Sequence, residues 1–227
     1  MSSEFLAAVK RGDREGVEQM LDADPALIGA KDERGTSAIS LAHYHGQIDV
    51  AQALLARRPA LDVFEASTVG DAARVHELID RDGALANAVA GDGFFPLGLA
   101  AFFKRTGVLT VLLEHGANVH MASKPGGFTP LHSAVADDAG HHDVKELVRM
   151  LLDAGADPNA RSASDGTPLH TAAFTGNIPV IQMLLAAGAD PAAADDKGRS
   201  PLDLARERHH SEAAALLHHG VTFRKRG

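Results

Sequence analysis

Thirteen histidines and thirty carboxylates are the side chains best suited to chemistry in this 227-residue chain. They crowd most densely in Ala-Asp-Asp-Ala-Gly-His-His-Asp, where His141 and His142 lie near Asp137, Asp138 and Asp143. Imidazoles and carboxylates that converge in this way could ligate a divalent metal. The pairs His209-His210 and His218-His219 are adjacent in sequence, and neighbours on a helix point to different sides. None of these pairs has the i, i+4 spacing with a nearby carboxylate that a helical zinc site favours. The chain has no cysteine, which excludes disulfides and thiolate chemistry. Lys124-Pro125-Gly126-Gly127 is glycine-rich but lacks the Lys-Ser or Lys-Thr of a phosphate cradle, and it reads as a turn. The run Arg224-Lys225-Arg226 is a small basic patch that could touch an acidic partner. No catalytic residue, metal or cofactor is expected. A metal-dependent enzyme using residues 137–143 is the alternative these residues leave open.

Bulk composition narrows the partners. Apolar residues make up 45%, enough for a core, but aromatics are 4% and tryptophan is absent, so packing must rely on Leu, Val and Ala. A formal charge of −8 argues against a protein that grips nucleic acid by neutralising phosphates. The start, MSSEFLAAVKRGDREG, carries no sustained apolar run, and none elsewhere approaches a membrane span, so neither a signal peptide nor a membrane association is expected. Arginine outnumbers lysine fifteen to seven and alanine is abundant, which fits a GC-rich, bacterial genome. The expected location is cytoplasmic.

The elements that must position any functional residue are clearest in residues 165–190, DGTPLHTAAFTGNIPVIQMLLAAGAD. Thr167 is a natural N-cap, and Pro168 follows at the first helical position, where its missing N–H costs nothing. Gly176-Asn177 breaks that helix, and Asn177 caps a second one carrying Ile178, Ile181, Leu184 and Leu185 at helical spacing. Gly188 ends it where a left-handed residue is wanted. Such a unit cannot bury its apolar faces alone, so it must recur. It does: Phe128-Thr129-Pro130-Leu131-His132 precedes Leu151-Leu152-Asp153-Ala154-Gly155-Ala156-Asp157, and Ser200-Pro201-Leu202 precedes Leu216-Leu217. Phe95-Pro96-Leu97 precedes Leu112-Leu113-Glu114-His115-Gly116-Ala117-Asn118. A weaker copy begins at Gly35-Thr36-Ser37-Ala38-Ile39. Two further segments lack a hairpin signature and resemble each other, Leu6-Ala7-Ala8-Val9-Lys10-Arg11-Gly12-Asp13 and Phe64-Glu65-Ala66-Ser67-Thr68-Val69-Gly70-Asp71.

On these residues the chain resembles the ankyrin repeat family. The resemblance rests on Thr129-Pro130-Leu131-His132, Thr167-Pro168-Leu169-His170 and the Gly-Ala-Asp or Gly-Ala-Asn closings at 116–118, 155–157 and 188–190. It implies an all-α solenoid, one domain of about seven helix–turn–helix units with short β-hairpin-like loops: 1–30 as N-terminal cap, 31–62, an irregular 63–90, 91–123, 124–160 with an insertion, 161–193, and 194–227 as C-terminal cap. The irregular unit is expected to change the local curvature. The motif residues Thr129, Pro130, His132, Thr167, Pro168 and His170 are implied to be structural, the histidines bonded within the turn. In the insertion, Gly140-His141 then echoes the helix–turn–helix junction, and Asp143 caps the helix that follows.

The same resemblance implies non-catalytic binding of an unidentified protein partner through hairpin tips and the first helix of each unit, a concave surface. The corresponding residues are Arg34, Tyr44, Asp92, Phe94, Phe102, Phe103, Phe128, Asp137, Phe174, Lys197, Arg199 and Arg206. Six of the ten aromatic residues fall in this set. Exposed aromatic clusters are where binding energy tends to concentrate. The competing reading is that Phe94, Phe102 and Phe103 fill gaps in the stack beside the irregular unit. A self-associating structural protein, a homo-oligomer with these rings facing another copy, is the further alternative.

Overall fold

Fourteen α-helices, paired in order along the chain, make up the computed structural model, which describes residues 1–136 and 144–224. The pairs are α1 (Ser2–Arg11) with α2 (Arg14–Ala23), α3 (Ala38–Tyr44) with α4 (Ile48–Ala56), and α5 (Val63–Val69) with α6 (Ala72–Arg81). Then come α7 (Pro96–Phe102) with α8 (Thr106–Glu114), α9 (Pro130–Val135) with α10 (Val144–Asp153), α11 (Pro168–Thr175) with α12 (Ile178–Ala186), and α13 (Pro201–Glu207) with α14 (Ser211–Arg224).

Local signals set these boundaries. The side chains of Ser37, Asp62, Thr129 and Ser200 accept backbone N–H groups at the starts of α3, α5, α9 and α13. Asp13, Asp71 and Asn177 do the same for α2, α6 and α12. The two segments that resemble each other in sequence also finish alike, in 3₁₀ turns at Pro25–Gly29 and Gly83–Asn87.

The first helices pack side by side in one row from α1 to α13, and the second helices form a second row behind them, with α4 against α6 its weakest junction. Small residues of the first row, Ala8, Ala42, Ala66, Ala100, Ala134 and Ala172, are fully buried. They let the rows approach closely, and Val17, Leu54, Val75, Leu109, Leu147 and Ile181 of the second row fill the space between. Burying each such aliphatic side chain contributes about 1.5–3 kcal/mol. The expectation of a core built on Leu, Val and Ala needs one correction. Phe5 and Phe95 are also among the largest fully buried side chains.

Phe95 occupies the cap position of α7, where Thr129 and Thr167 stand in α9 and α11. It makes no side-chain cap bond. Instead its ring lies over Gly98, so close that a Cβ on that glycine would meet ring carbons at 3.0–3.3 Å. The threonine–histidine pair of the other units is here exchanged for a large ring against a bare backbone.

Hairpin loops precede α3, α7, α9, α11 and α13, each closed by a backbone bond such as Asp32 N–H to the Thr36 carbonyl (2.9 Å) or Ser162 N–H to the Gly166 carbonyl (2.9 Å). Successive loops are bonded to one another: Lys124 N–H to the Gly93 carbonyl (3.2 Å), Ala163 N–H to that of Gly126 (2.9 Å), and Asp196 N–H to that of Ser164 (3.0 Å). Only Pro59, Ala60 and Leu61 lie between Arg58 and the cap Asp62, so α5 brings no hairpin. The loop before α3 therefore meets the loop before α7 directly. Gly91 makes the approach possible, since a Cβ there would collide with the Arg34 carbonyl oxygen. The row of hairpins stays continuous across the unit that contributes none. No helix among the described residues is long and apolar enough to cross a membrane.

Candidate partner-binding surface

Asp92 fastens the junction where the two hairpins meet. The Thr36 hydroxyl and the Tyr44 phenol each donate to its Oδ2 at 3.2 Å, and the Phe94 N–H donates to its Oδ1 at 3.2 Å. Burial and the adjacent Asp92 carboxylate both push the Tyr44 pKa upward, so the phenol keeps its proton and remains a donor. Asp92 is thus a positioning group for the ring above it.

Tyr44 begins a set of stacked rings. It lies nearly parallel to Phe103 (10°, centroids 5.8 Å apart) and tilted against Phe94 at 5.8 Å. Phe103 also stands edge to face with His43 at 5.8 Å and with Phe102 at 5.1 Å. Tyr44 and His43 belong to α3, and Phe102 and Phe103 to the end of α7, so the stack bridges over α5. The Arg105 side chain covers Gly70 and donates from Nε to the Thr68 carbonyl (2.9 Å).

The aromatic residues divide by exposure. Tyr44, Phe94 and Phe103 are half-buried and hold the hairpin junction, whereas Phe102 is 49% exposed. Phe128, whose carbonyl closes the hairpin just before α9, is 43% exposed, and Phe174, at the position in α11 that Phe102 holds in α7, is 45% exposed. The Arg208 guanidinium sits over the Phe174 ring at 4.3 Å, a cation–π contact the sequence did not announce.

The predicted charged residues separate in the same way. Arg34, Lys197 and Arg206 are exposed. Arg199 is tied to Asp195 (2.8 Å) and Glu207 (3.2 Å), and its carbonyl accepts a bond from His170, so its role in the hairpin is internal. Asp137 lies outside the described residues, as do Asp138, His141, His142, Asp143, Lys225 and Arg226.

Beside the aromatic stack, a groove of about 770 Å³ opens between α1 and the first hairpins, lined by Leu6, Lys10, Asp32, Arg34, Tyr44 and Phe94 among others. Burial alone would raise the Asp32 pKa. Bonds from the Thr36 and Arg34 N–H groups, together with the Lys10 ammonium, outweigh it and hold the carboxyl below its ordinary value. The groove wall therefore presents a carboxylate between lysine and arginine.

The motif histidines join consecutive units. Thr129 N–H and hydroxyl both face His132 Nδ1 (3.3 and 2.9 Å), so that nitrogen accepts, and Nε2–H donates to the Gly166 carbonyl of the next hairpin at 3.1 Å. His170 repeats the pattern with Thr167 and the Arg199 carbonyl (3.0 Å). Burial pushes both imidazoles down in pKa, against the opposing pull of those carbonyls. In the unfolded chain they titrate near about 6.5. Below that pH the unfolded state binds more protons than the fold, so stability is complete above it and falls as pH is lowered toward the depressed native values. The melting temperature is accordingly expected to be lower at pH 5 than at pH 7.5. The gap between the two should shrink in a His132→Gln/His170→Gln variant; an unchanged gap would remove these histidines as its source.

Stacked helix pairs, a continuous row of bonded hairpins and a shared threonine–histidine turn define a helical-repeat solenoid. Comparison with known proteins gives the family: a family model described as Ankyrin repeats (3 copies) matches residues 63–162 and 137–226. The chain belongs to the ankyrin repeat family. It is 35% identical over 111 residues to the ankyrin repeat and SAM domain-containing protein 6 of Rattus norvegicus, covering 49% of this chain and 12% of that protein. It is 31% identical over 188 residues to the human ankyrin repeat and SOCS box protein 16, covering 62% of this chain and 41% of that protein. It is 33% identical over 132 residues to a putative ankyrin repeat-containing protein of Treponema pallidum (strain Nichols), covering 54% and 44%. The chain thus spans less than half the length of each of these relatives. Ankyrin repeats are in general protein–protein interaction modules rather than enzymes.

Proposed function

We propose that this chain is a non-catalytic recognition module that binds a partner protein through the face built by its hairpins and first helices. The observation that carries the reading is the exposure of Phe102, Phe128 and Phe174 on that face in a chain with only ten aromatic residues. Phenylalanines left near half-exposed on a rigid scaffold are suited to anchor a partner. The scaffold is held by hairpin-to-hairpin bonds, so binding loses little ordering entropy. Arg34, Lys197 and Arg206, exposed on the hairpins and first helices, would supply specificity through charge. The net charge of −8 points to protein rather than nucleic acid as the partner.

The test is affinity capture from the source cells with wild type and a Phe102→Ser/Phe174→Ser variant side by side, together with sedimentation of the purified protein. A different protein retained by the wild type and lost by the folded variant supports the proposal. Concentration-dependent self-association abolished by the same variant would replace it with a homo-oligomeric scaffold.

A further inference from the structure

We propose that His76, Asp80 and His115 form a binding site for a divalent transition metal of the zinc class, linking the third helix pair to the fourth. His76 and Asp80 lie four residues apart on α6 and share one of its faces. His115 caps the C-terminal end of α8 and reaches the same point from the neighbouring pair. Asp80 Oδ2 lies 3.0 Å from His76 Nδ1, and Oδ1 lies 3.5 Å from His115 Nε2. One ligand atom from each residue falls within 4.8 Å of the other two. Tetrahedral zinc with bonds of 2.0–2.1 Å sets its ligands roughly 3.3 Å apart, so small rotations of these side chains would complete the geometry. Two imidazoles and a carboxylate, with a fourth position open to water, are a donor set that zinc accepts.

Orientation supports the assignment independently. His115 Nδ1 lies 2.7 Å from the Val111 carbonyl, which can only accept, so the ring proton is on Nδ1. In the neutral ring the Nε2 lone pair then points at Asp80. A backbone carbonyl holding one ring nitrogen while the other is presented to the site is how metal-binding imidazoles are commonly fixed. The His76 and His115 rings stand edge to face, 5.0 Å apart.

The chain also contains its own comparison. Glu18, Asp22 and Arg57 occupy the corresponding register between the first and second helix pairs, and there Arg57 meets Asp22 at 2.6 Å. A permanent cation satisfies that carboxylate. At the later junction histidines replace both the arginine and the glutamate, so the same carboxylate faces two nitrogens that can each offer a lone pair. The site lies on the second-helix row, away from the hairpins. Metal there would stiffen the stack at the one internal unit that lacks a hairpin and leave the recognition face clear.

The experiment titrates ZnCl₂ into the EDTA-stripped 227-residue chain, read by calorimetry and thermal unfolding, in wild type, His115→Arg and Asp80→Asn. His115→Arg copies Arg57, so it keeps an ion pair while removing a ligand. The wild type is expected to bind one tight equivalent, with Tm rising by about 5–10 °C when free zinc is about a hundredfold above Kd. Both variants should lose that equivalent, binding at least about tenfold more weakly. No rise in the wild type would overturn the proposal. So would an equal rise with unchanged stoichiometry in His115→Arg, which would place the metal on other histidines.

Discussion

Replacing Phe95 by alanine is expected to destabilise the protein by about 3–5 kcal/mol, measured by urea unfolding. The ring is only 1% exposed and packs on Gly98 at the start of α7. Collapse around the vacancy is limited because α7 is held between α5 and α9 in the row of first helices. Phe95→Thr should cost a similar amount, since threonine restores a cap hydroxyl but leaves Gly98 without a histidine to bond. The double variant Phe95→Thr/Gly98→His rebuilds the pattern seen at Thr129–His132 and should recover a substantial part of the loss. Gly98→His alone should be destabilising, because its Cβ would crowd the Phe95 ring. A Phe95→Ala variant as stable as wild type would mean that the ring does not hold this part of the stack.

Phe102→Ser/Phe174→Ser is expected to have the opposite profile, a small change in stability and a large loss of binding. Each ring is close to half exposed and keeps one aromatic or cationic neighbour, Phe103 for Phe102 and Arg208 for Phe174. Losing such contacts at the surface costs less than about 1 kcal/mol per site. If the rings anchor a partner, each contributes about 2 kcal/mol or more to the complex, and together they should raise Kd by at least about 100-fold. Phe103 is left intact in this variant because it is half-buried against Tyr44, His43 and Phe102. A folded double variant with undiminished affinity would move the binding surface elsewhere.

The contrast between Phe95 and Phe102 shows what local sequence can and cannot reveal. Thr-Pro-Leu-His and Gly-Ala-Asp are local signals, because a cap, a first-turn proline and a left-handed glycine act within a few residues. They made the helix pairs and their family resemblance readable. The missing hairpin before α5 was also legible, since only Pro59-Ala60-Leu61 stands there. Its consequence was not. That Gly91 meets Arg34, or that Tyr44 and Phe103 stack across the unit that lacks a hairpin, depends on how α3 and α7 sit once α5 lies between them. The division of the aromatic residues into half-buried and exposed follows from that contact. His76, Asp80 and His115 escaped for a related reason. A helical zinc pair at i, i+4 is legible within one helix, whereas this grouping pairs a histidine with an aspartate and draws its third member from the adjacent unit. Arg208 over Phe174 is another contact between units.

The most direct test of the proposed recognition face is site-specific photo-cross-linking in the source cells. A photoreactive side chain would be placed at position 102 or 174 in one set, and at Gln52 or Gln182, exposed on the second-helix row, in the other. The account predicts that positions 102 and 174 capture a common, different protein and that positions 52 and 182 do not. Capture of that protein from the second-helix positions alone, or cross-links from 102 and 174 only to another copy of this chain, would contradict it.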